Sequence, residues 1–180
     1  ECLAVPHLEI SNASPLFALM NGSFIIGAAN GLNLELADGV GSSNLFLFGT
    51  KAQARLALSH KDYQPRDFYQ TNTSLRSAID QLASGYFTQG EVEWVTPLID
   101  SWLNPDPCIL LADYQPYLEC QDRVSQAYRD PVRWTQMSIL NTIKIGNFSA
   151  DYAVQEYCLK IWNIQPVTQR LREHTKLFAG

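Results

Sequence analysis

The chain has 180 residues, of which 46% are hydrophobic and 17% charged, enough apolar material for one domain to build its own core. That composition excludes disorder, and the longest apolar runs, Phe24–Ala29 and Leu45–Phe48, fall far short of the about 20 residues that span a bilayer. A net charge of −5 argues against a nucleic-acid partner, which needs a concentrated basic face.

In chain order, the first half reads as α/β. Phe24-Ile25-Ile26, closed by Gly27, and Leu45–Phe48, closed by Gly49, are continuous apolar runs suited to strands buried on both faces. Between them, Leu32, Leu34 and Leu36 alternate as in a strand, while Leu32, Leu36 and Val40 also fit a short helix. Thr50 is a plausible N-cap for a helix through Leu58. Residues 59–73 are polar and turn-rich. Leu75, Ile79 and Leu82 then predict a helix with Gly85 beyond its end. A further helix is expected around Trp94–Leu103, stopped by Asn104-Pro105-Asp106-Pro107, and Cys108–Leu111 reads as one more buried strand.

After Asp113 the pattern is helical throughout. Tyr117, Val124 and Tyr128 lie near one face, with Cys120 and Ala127 beside it. Asp130-Pro131 is a helix start with Asp as N-cap and Pro at the first position, followed by a stripe of Trp134, Met137 and Leu140. Ser149 can cap a last helix carrying Val154, Tyr157, Cys158, Ile161 and Trp162, which Pro166 stops. The expected organisation is a partial α/β unit over residues 1–111 and helices of the same domain over 112–180.

Little in this inventory signals chemistry by itself. The four cysteines, Cys2, Cys108, Cys120 and Cys158, form no C-x-x-C pair and read as reduced, mostly buried thiols of a cytoplasmic protein. Four N-x-S triplets carry no weight without a secretory signal, and none is visible. His7, His60 and His174 share no ligand spacing, so no metal site is expected. Gly27-Ala28-Ala29-Asn30-Gly31 lacks both the G-x-G-x-x-G fingerprint and a P-loop lysine, and no G-x-S-x-G elbow occurs. Gly22, Gly27 and Gly31 read first as requirements of tight turns, and Cys120 and Trp162 as core residues.

The order of residues says more. Residues 21–39 read NGSFIIGAANGLNLELADG and residues 44–49 NLFLFG; residues 112–140 read ADYQPYLECQDRVSQAYRDPVRWTQMSIL; residues 146–149 and 156–163 close the series with GNFS and EYCLKIWN. In this order they resemble the α-glucan phosphorylases of glycogen, starch and maltodextrin. Those enzymes have N-G-x-x-x-I-G-x-x-D-G-A-N-V-E, F-x-F-G, A-D-Y-x-x-Y-x-x-C-Q, W-x-x-M, G-x-F-S-S-D-R and E-Y-x-x-x-I-W-N. The likeness is weakest across 59–107.

The resemblance implies the end of the second of two Rossmann-like domains, with an α-helical C-terminal half, from enzymes several times longer. Their reaction is phosphorolysis of a terminal α-1,4-glucosidic bond to glucose 1-phosphate, and their cofactor is pyridoxal phosphate, held on a lysine as a Schiff base. Aligned without gaps to the family's T-E-A-S-G-T-G-N-M-K, Glu9 and Ser11 fall on the Glu and Ser that contact sugar; read as residues alone, they are two polar side chains of a loop. Ala13 and Ser14 fall on phosphate-contact positions, and Ala13 has no hydroxyl to offer. Phe17 stands where the lysine belongs, and a phenyl ring cannot form an imine. Pro15, lacking an N–H, is expected to disfavour a helix start there. Asn30, Leu32 and Tyr152 replace the family's Asp, Ala and Arg.

The expectation is thus a chain without catalytic residues of its own, without covalently bound cofactor and inactive by itself. Its partners would be α-glucan or glucose, a separate chain supplying the missing N-terminal domain, or a second copy. The alternative is a non-catalytic module that binds glucan or a partner chain.

Overall fold

A computed structural model of the chain describes residues 14–29, 31–49, 63–104 and 106–165; the expected Thr50–Leu58 helix, Pro166, Glu9, Ser11 and Ala13 lie outside these. The chain divides into two compact units, residues 1–145 and 146–180. The described residues of both are mostly helical, and those of the first hold a small parallel sheet.

That sheet has two strands, β1 (Ile26–Ala28) and β2 (Phe46–Phe48), with Ile26 opposite Phe46, Gly27 opposite Leu47 and Ala28 opposite Phe48. Parallel strands need a crossover. Helix α2 (Gly31–Val40) supplies it, which resolves the ambiguity of the leucine pattern. Asn33, Leu36, Ala37 and Val40 are the buried residues, a 3-4 spacing that only a helix places on one face. A short turn of 3-10 helix, Ser42–Asn44, returns the chain to β2. Before the sheet, α1 (Ser14–Met20) begins the described structure. Pro15 does not prevent it: in the first turn the missing N–H is one that a helix leaves unpaired anyway, and the Pro15 ring is buried.

The second half of this unit is built from helices α3 (Pro65–Thr71), α4 (Thr73–Ala83), α5 (Thr96–Leu103), α6 (Leu110–Tyr128) and α7 (Pro131–Lys144). Two expectations are corrected here. The polar stretch before residue 73 contains a helix, because Pro65 stands in the first turn of α3 and Asn72 both ends α3 and caps α4, accepting from the Leu75 N–H at 3.0 Å. Cys108–Leu111 is not a strand. Asp106 aims both carboxylate oxygens at the orphan N–H groups of Leu110 and Leu111, each at 3.0 Å, and so starts α6 in the middle of the apolar run. The reversal needs left-handed backbone at Asp106 (φ 31°) and Ile109 (φ 52°). For a β-branched residue that is a strained conformation.

Among the described residues, two apolar clusters hold the unit together. One lies between the sheet, α6 and α7: Phe46, Phe48, Cys120, Ala127 and Met137 are buried, with Phe24, Tyr117 and Trp134 packed against them. The other joins α4, α5 and α6 through Leu75, Ile79, Ile99 and Leu111. Cys120 is a core thiol, as expected, and Cys108 and Cys158 are half-buried and free.

In the second unit, helix α8 (Ala150–Tyr157) starts on Ser149, whose Oγ accepts from the Tyr152 N–H at 3.2 Å. A wider π turn, Cys158–Trp162, follows and ends at Asn163 in left-handed backbone. Glu156 pairs with Lys160, and this hydrogen bond raises the lysine's proton affinity. Trp162 was expected in a core. It is 55% exposed, its ring meeting Tyr157 edge-on at 5.9 Å.

Candidate functional site

Of the residues that the resemblance singles out, Leu32 lies on α2 and Tyr152 on α8. Of those that it places at the sugar, phosphate and lysine positions, Ser14 and Phe17 are described, both on α1. They are three apart and share its outward face, because Pro15 and Leu19 take the inward one. Phe17 is 62% exposed: its ring is not holding the core.

Asn21-Gly22 ends α1 and aims the chain at β1. The Ser23 N–H reaches the Ala18 carbonyl at 2.9 Å and the Gly22 N–H reaches Leu19 at 3.1 Å, the paired bonds of a Schellman cap. Gly22 takes the left-handed position (φ 75°), and the Asn21 amide donates to the Phe17 carbonyl at 2.8 Å. Helix α7 fixes the same turn from the side: Ser138 Oγ donates to the Gly22 carbonyl at 2.7 Å and Thr142 Oγ1 to Leu19 at 3.3 Å. A Cβ on Gly22 would come within 2.8 Å of Ser138 Oγ. Every fixture in this turn is structural.

The carboxyl ends of β1 and β2 are where a parallel sheet presents a crevice to ligands. Gly49 follows β2 with φ 80°, and a Cβ there would meet the Asp113 carboxylate at 2.8 Å. Asp113, from the A-D-Y triplet, is buried on α6, so the two motifs meet through one close contact. Three buried asparagines tie the surrounding loops. Asn33 donates to the Ala28 carbonyl at 3.0 Å, Asn44 to Val40 at 2.8 Å, and Asn141 to Asn44 at 3.1 Å. Asn141 Oδ1 has no hydrogen-bond partner among the described residues. Polar residues in an apolar pattern were the available signal for these, and sequence reasoning did not use it.

Reasoning from sequence also missed Tyr63 and Asp106. The Tyr63 hydroxyl donates to Asp106 Oδ2, the oxygen that caps Leu111. Burial first, and the neighbouring carboxylate second, push the Tyr63 phenol well above its ordinary range. Such a phenol is a fixed donor and not an acid–base catalyst at neutral pH.

Among the described residues, no group of His, Cys, Asp and Glu could hold a metal ion. Two hollows flank Phe87. One, of about 350 Å³, is walled by Leu75, Ile79, Trp102, Leu110 and Tyr114; the other, of about 330 Å³, lies between Phe87 and Trp94 with Thr88, Gln89 and Glu91. No described helix is long and apolar enough to cross a membrane.

The carbohydrate phosphorylase family profile matches residues 1–164. The chain is similar to the glycogen phosphorylase of Synechocystis, 39% identical over 174 residues, covering 96% of this chain and 20% of that protein. It is also similar to the muscle-form glycogen phosphorylase of Bos taurus, 33% identical over 95% of this chain and 20% of the relative. The brain form of Homo sapiens is 35% identical over 88% and 19%. The chain therefore spans about one fifth of the length of these curated relatives.

Proposed function

The chain belongs to the carbohydrate phosphorylase family, and on that premise we propose that it is the C-terminal portion of an α-glucan phosphorylase fold, inactive by itself. The observation that carries this reading is the ordered series of motifs, matched across residues 1–164 and tied together in space where Gly49 meets Asp113. On this reading the β1–α2–β2 unit belongs to a cytoplasmic enzyme's second Rossmann-like domain, a partial unit over residues 1–111 followed by its own helices.

The reaction of that fold moves a terminal glucosyl group from the O4 of the next sugar to an oxygen of inorganic phosphate, with one proton delivered to the departing O4. Pyridoxal phosphate, where the family binds it, supplies a phosphate for that proton transfer. The residues present here do not fit covalent cofactor. Phe17 offers an exposed ring and no amine, and the buried Pro15 offers no N–H. No step is therefore assigned to the cofactor in this chain. Glu9 and Ser11 are the residues proposed to meet sugar.

The remainder of the fold, on the same polypeptide or another, has a surface to meet. Val132, Ile139 and Ile143 are exposed along α7, at a spacing that gathers them on one helix face. Exposed apolar stripes of this kind mark interaction surfaces, which also supports the second reading, a non-catalytic module that binds glucan or a partner chain, a second copy included. Mixing the chain with a phosphorylase polypeptide that lacks the matching fifth separates the two readings. Co-elution with that polypeptide, lost in Ile143→Glu, is the expected result; self-association without co-elution favours the module. By itself the chain releases no glucose 1-phosphate from glycogen and phosphate.

A further inference from the structure

The segment between α4 and α5 carries three exposed aromatic side chains. Gly85 ends α4 in left-handed backbone, and the chain then folds on itself: Thr88 and Gly90 both donate N–H groups to the Gly85 carbonyl at 3.1 and 3.0 Å, and Glu91 donates to Thr88 at 3.0 Å. A Cβ on Gly85 would lie 3.0 Å from the Gly90 Cα, so the loop is closely closed. Gln89 is held at φ 54°, a conformation that costs free energy in a residue with a side chain. On this frame Tyr86, Phe87 and Trp94 are exposed by 72%, 63% and 77%, while Phe87 and Trp94 wall a hollow of about 330 Å³ shared with Thr88, Gln89 and Glu91.

Single exposed aromatic residues need no explanation. Here three lie within nine residues on a loop closed by its own backbone bonds, and two of them, Phe87 and Trp94, wall one hollow. Its chemistry is that of pyranose recognition. A sugar ring offers an apolar C–H face, which packs on a flat aromatic ring, and a rim of hydroxyls, which an amide, a hydroxyl and a carboxylate can bond. Among the described residues the wall of this hollow has no Lys or Arg and one carboxylate, Glu91, so it suits a neutral oligosaccharide and opposes a sugar phosphate.

We propose that residues 85–95 form a binding site for a neutral α-1,4-glucan chain, with Trp94 and Phe87 stacking on successive sugars and Gln89 and Glu91 bonding their hydroxyls. The choice of α-glucan rests on the phosphorylase reading. The site itself rests on the aromatic hollow.

Titration calorimetry of the whole chain with maltoheptaose, with cellohexaose as the β-linked control, tests it. Maltoheptaose binds and cellohexaose binds more weakly. Trp94→Ala and Glu91→Ala each weaken maltoheptaose binding by about 2- to 10-fold with unchanged melting temperature. No maltoheptaose binding, or equal binding by Trp94→Ala and the parent chain, overturns the proposal. Tighter binding of cellohexaose overturns the α-glucan assignment. Co-elution with the rest of a phosphorylase is scored separately. Co-elution without Trp94-dependent binding defeats this site alone, and Trp94-dependent binding without co-elution defeats the phosphorylase reading and leaves the site.

Discussion

Aromatic residues occur in two regions of the larger unit with opposite fates. Around the sheet, Phe24 lies 4.0 Å from Trp134 between ring centres, Phe46 lies 6.2 Å from the same indole, and Tyr117 meets Phe48 edge-on at 5.3 Å. In the 85–95 loop, Tyr86 and Phe87 touch each other at 5.1 Å but both face solvent, as Trp94 does. Residue type does not separate the two sets; backbone does. Strands and helices present a face that must be covered, whereas the loop closes on backbone bonds of its own and leaves its rings exposed.

The comparison breaks most sharply on the core side. Phe46→Ala removes a ring at the centre of the sheet cluster and lowers unfolding free energy by about 3–5 kcal/mol in urea denaturation; a loss below about 1 kcal/mol would mean that the sheet region is not the core. Next comes Asp106→Ala, which strips two N–H groups at the start of α6 and the Tyr63 hydroxyl of their acceptor. The expected cost is about 2 kcal/mol, read in the same titration.

Tyr63→Phe is milder, about 1 kcal/mol, and carries a pH signature. The folded phenol's pKa lies above the unfolded value, so its contribution is complete below pH about 10 and is lost as pH rises beyond it. The variant therefore shows a shallower alkaline loss of stability than the parent chain. Smallest is Trp94→Ala, within about 0.5 kcal/mol of the parent. A large loss there would place Trp94 with the core residues and remove the contrast between the regions.

Much of the sheet region was legible in the sequence, because period and burial agree there: Phe46-Leu47-Phe48 is a strand, Asp130 is a cap, and Cys120 is buried; in the smaller unit Ser149 is the expected cap. Residues 63–111 were less legible for a physical reason. Asp106 overrides an apolar run by offering two acceptors at one place, and Pro65 and Asn72 build a helix out of residues that usually mark turns. Trp162 sits at helical spacing in α8 and its π turn, and the pattern does not distinguish a face that meets the core from one that meets another body. The candidate site was legible in the order of residues and its resemblance to a family, not in composition. That Phe17 stands at the lysine position is what the resemblance implies; its outward placement on a helix with Pro15 in the first turn comes from the coordinates.

The central claim is that this chain packs as part of a phosphorylase, and size-exclusion co-elution with a phosphorylase polypeptide lacking the matching fifth tests it most directly. The account predicts a complex that forms with the parent chain and is lost in Ile143→Glu, whose exposed position leaves the fold intact. A parent chain that folds and elutes apart from that polypeptide would contradict it.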